Sequence, residues 1–79
     1  MSRKEKALKR ARQWADENGL LRIYDCQKIF NLSWTGVRAR TFLPDNDPCQ
    51  LTAKTEGGKR TRVWITLDSI EKCISHWED

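Results

Sequence analysis

The chain has 79 residues, 38% hydrophobic and one-third charged, and 15 Lys/Arg against 11 Asp/Glu give a net charge of +4 and a pI near 9.2. That length allows a single small domain, and no apolar run approaches the ~20 residues of a membrane span or the ~7–15 of a secretory leader. Three widely spaced Cys do not make a disulfide framework, so a reducing interior is expected. The charge is uneven: residues 1–43 hold ten basic and four acidic residues, and residues 44–79 hold five and seven. Basic clusters separated by acidic stretches are the footprint of a polyanion-binding protein, weighed against the plainer reading of a solvated surface.

The first expected element is a helix over residues 3–18. Ser2 followed by Glu5 reads as a capping box, and Asn18-Gly19 as a stop. Ala7, Leu8, Ala11, Trp14 and Ala15 share an arc of about 120° on the helical wheel. Lys6, Lys9, Arg10 and Arg12 lie off that arc with Arg3. So many cations in the opening turns oppose the helix dipole, and an anionic partner is the simplest reason for them. A short apolar connection, Leu20–Tyr24, follows.

Residues 25–42 have helix-turn-helix spacing. Asp25 is the expected N-cap of a helix over Cys26–Phe30. Asn31 suits a left-handed turn, Ser33 caps a second helix from Trp34 to about Phe42, and Leu43-Pro44 ends it. Val37 should face inward, leaving Trp34 undecided and Thr35, Arg38 and Ala39 outward. Arg38 is placed to read guanine and Thr35 or Ala39 a thymine methyl, while Arg40, nearer the inner edge, is placed to reach a phosphate.

Residues 51–65 alternate around Glu56-Gly57-Gly58, the signal of a two-stranded hairpin. Thr61, Val63 and Ile65 share one face, and Arg60, Arg62 and Trp64 the other. Lys59 and Arg60 at the tip, with Arg62, suit a minor groove or its phosphates. Trp64 is expected in the core against the first helix, as are Trp14 and Trp77. Thr66 caps a final helix over residues 67–77, in which Leu67, Ile70, Cys73, Ile74 and Trp77 share one arc.

Tyr24–Arg38, Leu43-Pro44, the basic hairpin Lys59–Ile65 and the following Thr66–Ile70 together resemble the winged helix-turn-helix of phage and mobile-element excisionases and the related MerR-like and AlpA-like regulators. The resemblance covers roughly residues 22–77. Gln27 stands where that pattern usually has a small residue, and the basic first helix is an addition to it. The fold implied is α+β: a basic helix, a helix-turn-helix, a two-stranded wing and a C-terminal helix in one domain. The function implied is binding of double-stranded DNA with modest sequence specificity, by an excisionase that bends attachment-site DNA and assists an integrase. An integrase and further copies of the chain on DNA are the additional partners implied, in the cytoplasm of a bacterium or for a phage-encoded protein. A MerR- or AlpA-like transcriptional regulator is the alternative within the same fold. A small phage-type protein that modulates a host enzyme through its Trp-rich surface is the alternative outside it.

No chemistry-bearing motif competes with this reading. Of Cys26, Cys49, Cys73 and His76, only the last two have ligand-like spacing, so no metal cofactor is expected. One His and no Walker loop, nucleophile elbow or carboxylate pair give no expectation of an enzyme or of a small-molecule substrate.

Overall fold

The computed structural model describes residues 2–56 and 62–77. Among these residues the chain is a small α+β unit of four helices and a three-stranded antiparallel sheet, in the order α1 (Arg3–Trp14), β1 (Leu20–Arg22), α2 (Ile23–Phe30), α3 (Trp34–Thr41), β2 (Ala53–Glu56), β3 (Arg62–Thr66) and α4 (Leu67–Ser75).

α1 starts where the serine signal places it, the Ser2 hydroxyl accepting the Glu5 N–H at 3.1 Å. It ends four residues before the expected Asn18. Ala15 turns extended (φ −65°, ψ 141°), and the Asp16 carboxylate accepts the N–H groups of Asn18 (2.8 Å) and Leu20 (3.0 Å). An Asp that satisfies nearby backbone donors in this way competes with the helical ladder. Gly19, at φ +69°, completes this turn rather than capping the helix, and it adopts that angle without a side-chain penalty. The small buried faces of Ala7 and Ala11 let α1 pack against both α2 and α4. The Arg12–Glu71 pair (3.0 Å) and a hydrogen bond from Lys4 Nζ to the Ser75 carbonyl (3.0 Å) cross from α1 to α4.

The apolar connection after Gly19 is a strand. β1 pairs with β3, which in turn pairs with β2, so the expected two-stranded wing is part of a three-stranded sheet with β3 at its centre. Leu21, Ile65 and Ala53 stand opposite one another and form the row that faces the core. Arg22, Trp64 and Lys54 form the neighbouring row, which by strand alternation faces the other way. The hairpin strands span 53–56 and 62–66, shorter than the expected 51–65: Leu51 is fully buried but not paired. Gly57, Gly58, Lys59, Arg60 and Thr61 lie outside the described residues.

α2 follows β1 without a loop and begins three residues before the expected position. Asp25 is therefore the third helical residue and not the N-cap; its carboxylate reaches back to the Arg22 N–H at 3.4 Å. An acid at the N-cap accepts from the first-turn N–H groups and one at the third position accepts from the N-cap N–H; both suit a helix start, which is why sequence places it one turn out. Asn31 closes α2 in the left-handed region (φ 54°, ψ 46°), and the Ser33 hydroxyl accepts the Gly36 N–H at 3.1 Å to open α3. Only Asn31, Leu32 and Ser33 separate the two helices. A Cβ on Gly36 would stand 3.4 Å from both Leu32 Cβ and Ser33 Oγ, at the near edge of ordinary van der Waals contact, so this corner is closely packed. Half-buried Gln27 is accommodated, its carbonyl accepting the Leu32 N–H at 3.1 Å.

α4 is capped by Thr66, whose hydroxyl accepts the Ser69 N–H, and it ends at Ser75, two residues short of the expected Trp77. Trp77 still closes the core from outside the helix, with its ring edge-on to Phe30 at 5.7 Å. Leu21, Val37, Leu51, Ile65, Ile70 and Ile74 are fully buried, with Trp14 and Trp77 packed at the margin. A set this small makes each member costly to truncate, typically ~2–5 kcal/mol for Leu or Ile to Ala.

Candidate nucleic-acid interface

Two surfaces carry the candidate binding residues, and they are chemically unlike. The first is a cleft of about 580 Å³ between α1 and the end of α2, lined by Arg3, Lys6, Ala7, Arg10, Lys28, Ile29, Asn31 and Trp77. Arg3, Lys6 and Arg10 recur along one side of α1 at helical spacing, and Lys28 comes from the last turn of α2. Among the described residues that line the cleft there is no carboxylate. Four cations brought to one cleft concentrate positive potential, and an anion relieves it. The Arg3 guanidinium sits 4.8 Å from the Trp77 ring and the Lys28 ammonium 4.4 Å from the Tyr24 ring, so aromatic faces hold both in place. Because Asn31 lines the cleft, the cleft adjoins the turn that leads into α3.

Of the four basic-helix residues expected to meet an anion, the structure brings Lys6 and Arg10 together here and adds Arg3 and Lys28. Lys9 is exposed but does not line the cleft, and Arg12 is paired with Glu71. Lys28 escaped the sequence reading because a single Lys near a helix end has no pattern of its own. Only the packing of α1 against α2 gives it neighbours.

The second surface is the outer face of α3. On a helical wheel Trp34, Arg38, Phe42, Thr35 and Ala39 succeed one another over about 140°, opposite the fully buried Val37. Thr35 and Ala39 are exposed, Trp34 is 56% exposed, and Phe42, just past the last helical residue, is 78% exposed. The Arg38 guanidinium lies between the two aromatic rings, 5.7 Å from Trp34 and 5.5 Å from Phe42. Phe42 is the residue of this face that sequence reasoning missed. The sequence reading gives it only the last place in the helix before Leu43-Pro44, although it stands one further helical step beyond Trp34 and Arg38.

Arg40 departs from its expected role. Its guanidinium turns inward, 5.5 Å from the Phe30 ring, and donates to Cys73 Sγ at 3.4 Å. The aliphatic stem of an Arg at the edge of a buried face covers apolar neighbours more favourably than it extends into water, which places this cation on the core and not toward a phosphate. Burial raises the Cys73 thiol pKa and the facing Arg40 opposes that rise; burial, aided by Asp25, pushes the Cys26 thiol up to about 12. Both thiols therefore stay protonated and inert at neutral pH. Among the described residues no group of three or more His, Cys, Asp or Glu is arranged to hold a metal ion.

On the sheet, Arg62 is exposed, and with Arg22, Ile23, Val63 and Trp64 it lines a shallower cleft of about 340 Å³. Trp64 is not packed against α1 as expected. It lies on the outward row beneath the Arg22 guanidinium, 5.8 Å away, because β1 supplies a cover for this face that the hairpin alone lacks. The expected wing-tip contacts Lys59 and Arg60 lie outside the described residues. No helix among the described residues is long and apolar enough to cross a membrane.

Comparison with protein-family models, with curated proteins and with solved structures finds no match to this chain.

Proposed function

We propose that this protein binds double-stranded DNA as a winged helix-turn-helix. α3 enters the major groove, the cleft between α1 and α2 holds backbone phosphates beside it, and the β2–β3 hairpin lies along the adjacent backbone or minor groove. The observation that carries the reading is the cleft: Arg3, Lys6, Arg10 and Lys28 converge from two helices, with no carboxylate among the described lining residues, next to the turn into α3. Spaced cations of this kind match successive phosphates of a duplex. Within this reading the role is that of an excisionase, which shapes attachment-site DNA for an integrase and performs no chemistry itself, as the sequence resemblance implies. A MerR- or AlpA-like transcriptional regulator would use the same surfaces, since one fold serves both.

The exposed Trp34 and Phe42 favour one rival, docking on a host enzyme, because aromatic residues flanking an Arg are frequent anchors of protein interfaces. Charge reversal separates the two. A Lys6→Glu/Lys28→Glu chain should fold normally, since both side chains are exposed, and lose duplex affinity by roughly a hundredfold in an electrophoretic shift assay, as expected when several phosphate contacts are removed. Unchanged duplex binding by the reversed chain would overturn the role of the cleft, and no binding by the parent chain would overturn the DNA reading and leave the protein-docking one.

A further inference from the structure

The cationic cleft explains attraction to any duplex but not what α3 reads once it arrives. A helix that reads bases through hydrogen bonds presents amides, carboxylates and several long cations. The outer face of α3 presents instead two aromatic rings, an Ala methyl and a Thr methyl around a single Arg. Exposing Phe42 and Trp34 to water is unfavourable in the free protein, so their place on this face calls for an apolar partner. Charge restricts that partner. The face has one cation at its centre, and the turn that leads into α3 carries Asn31, which lines the cleft of four more cations. A duplex supplies phosphates for the cleft, and the only apolar group on its major-groove base edges is the C5-methyl of thymine.

We propose, resting on the duplex-binding reading above, that the outer face of α3 recognises thymine methyl groups, with Trp34, Phe42 and Ala39 as the contacting surfaces and Thr35 at their edge. Arg38 is the polar element of the same face. Its guanidinium carbon lies 5.7 Å from the Trp34 ring and 5.5 Å from the Phe42 ring, and cation–π contact of that kind leaves guanidinium N–H groups available to donate. The Arg is thereby held ready for a purine edge between the contacted thymines and gives up less side-chain freedom on binding. The target is a short A·T-rich site interrupted by guanine, read chiefly through methyl groups and not through a ladder of hydrogen bonds.

Replacing every thymine by deoxyuridine in an A·T-rich duplex removes those methyls and leaves all base-pair hydrogen bonds in place. The parent chain should bind the thymine duplex more tightly, by roughly fourfold for each contacted methyl, the usual worth of one buried methylene-sized group. Phe42→Ala and Trp34→Ala change exposed side chains and leave the core intact; each should lower affinity for the thymine duplex toward the deoxyuridine value and shrink the difference between the two. Salt-sensitive binding of equal strength to both duplexes would overturn methyl recognition while the duplex reading stands. A thymine preference that survives both substitutions would overturn the assignment to this face. Absence of salt-sensitive binding to either duplex would overturn the underlying reading and this inference with it.

Discussion

The cleft between α1 and α2 and the outer face of α3 adjoin each other, yet they are built from opposite materials. The cleft gathers Arg3, Lys6, Arg10 and Lys28 around a polar opening. The α3 face gathers Trp34, Phe42, Thr35 and Ala39 around one Arg. In duplex recognition the two kinds of surface have separate consequences: cations on phosphates set affinity and its dependence on salt, whereas contacts to base edges set sequence preference. On the proposed duplex-binding reading, the difference teaches that affinity and specificity are divided between separate surfaces, so that each is open to removal without the other.

That separation is open to attack by substitution at three places. Charge reversal at Lys6 and Lys28, which has the largest expected effect, should weaken binding to all sequences alike and leave the ratio between preferred and random duplexes nearly unchanged. Arg38→Ala should do the reverse, with a loss of about 1–3 kcal/mol on the preferred duplex. Its affinity for random sequence, measured by anisotropy, should stay close to that of the parent. A parallel loss on both duplexes would mean that Arg38 serves as one more phosphate contact, and the division of labour would fail. Arg40→Ala has the smallest expected effect on DNA, because its guanidinium is committed to Phe30 and Cys73. It should instead lower stability by about 1–2 kcal/mol, or roughly 5–10 °C in Tm for a domain of this size, through lost packing and cation–π contact. Reduced duplex affinity at unchanged Tm would return Arg40 to the phosphate-binding set.

Much of the helical framework was legible in the sequence because it is written in local chemistry. Ser2, Ser33 and Thr66 each accept a backbone N–H three residues on, and Asn31 takes the left-handed turn. These signals need no knowledge of the rest of the chain. The segment Leu20–Arg22 was legible as a short, extended apolar connection but not as a paired strand, since three residues have no measurable period and join the sheet only because β3 offers a free edge. Asp16 and Asp25 show a second kind of limit. Both satisfy backbone donors near a helix end, but the residue type alone does not tell whether the Asp lies inside, at or beyond that end.

The candidate site divided along the same line. That the cations of α1 form one surface follows from the helical wheel, so Lys6 and Arg10 were found, whereas Lys28 joined them only through packing of α1 on α2. Arg40 was placed near the inner edge of α3 correctly, but its direction depends on Phe30 and Cys73, which lie 10 and 33 residues away in the chain. Alternation puts Trp64 on the face shared with Arg60 and Arg62, whereas residue type puts it in the core. Alternation gave the observed position, since Arg22 from β1 covers the ring there.

The central claim, that this small basic domain engages duplex DNA through phosphates held in the α1–α2 cleft, is tested most directly by titrating a labelled duplex at a series of salt concentrations. Four phosphate contacts give a slope of log affinity against log salt near −3.6, which amounts to a loss of roughly a hundredfold between about 50 and 200 mM. The Lys6→Glu/Lys28→Glu chain should show a slope shallower by about two contacts. Binding that is absent at low salt, or whose strength does not change across the series, would contradict the account.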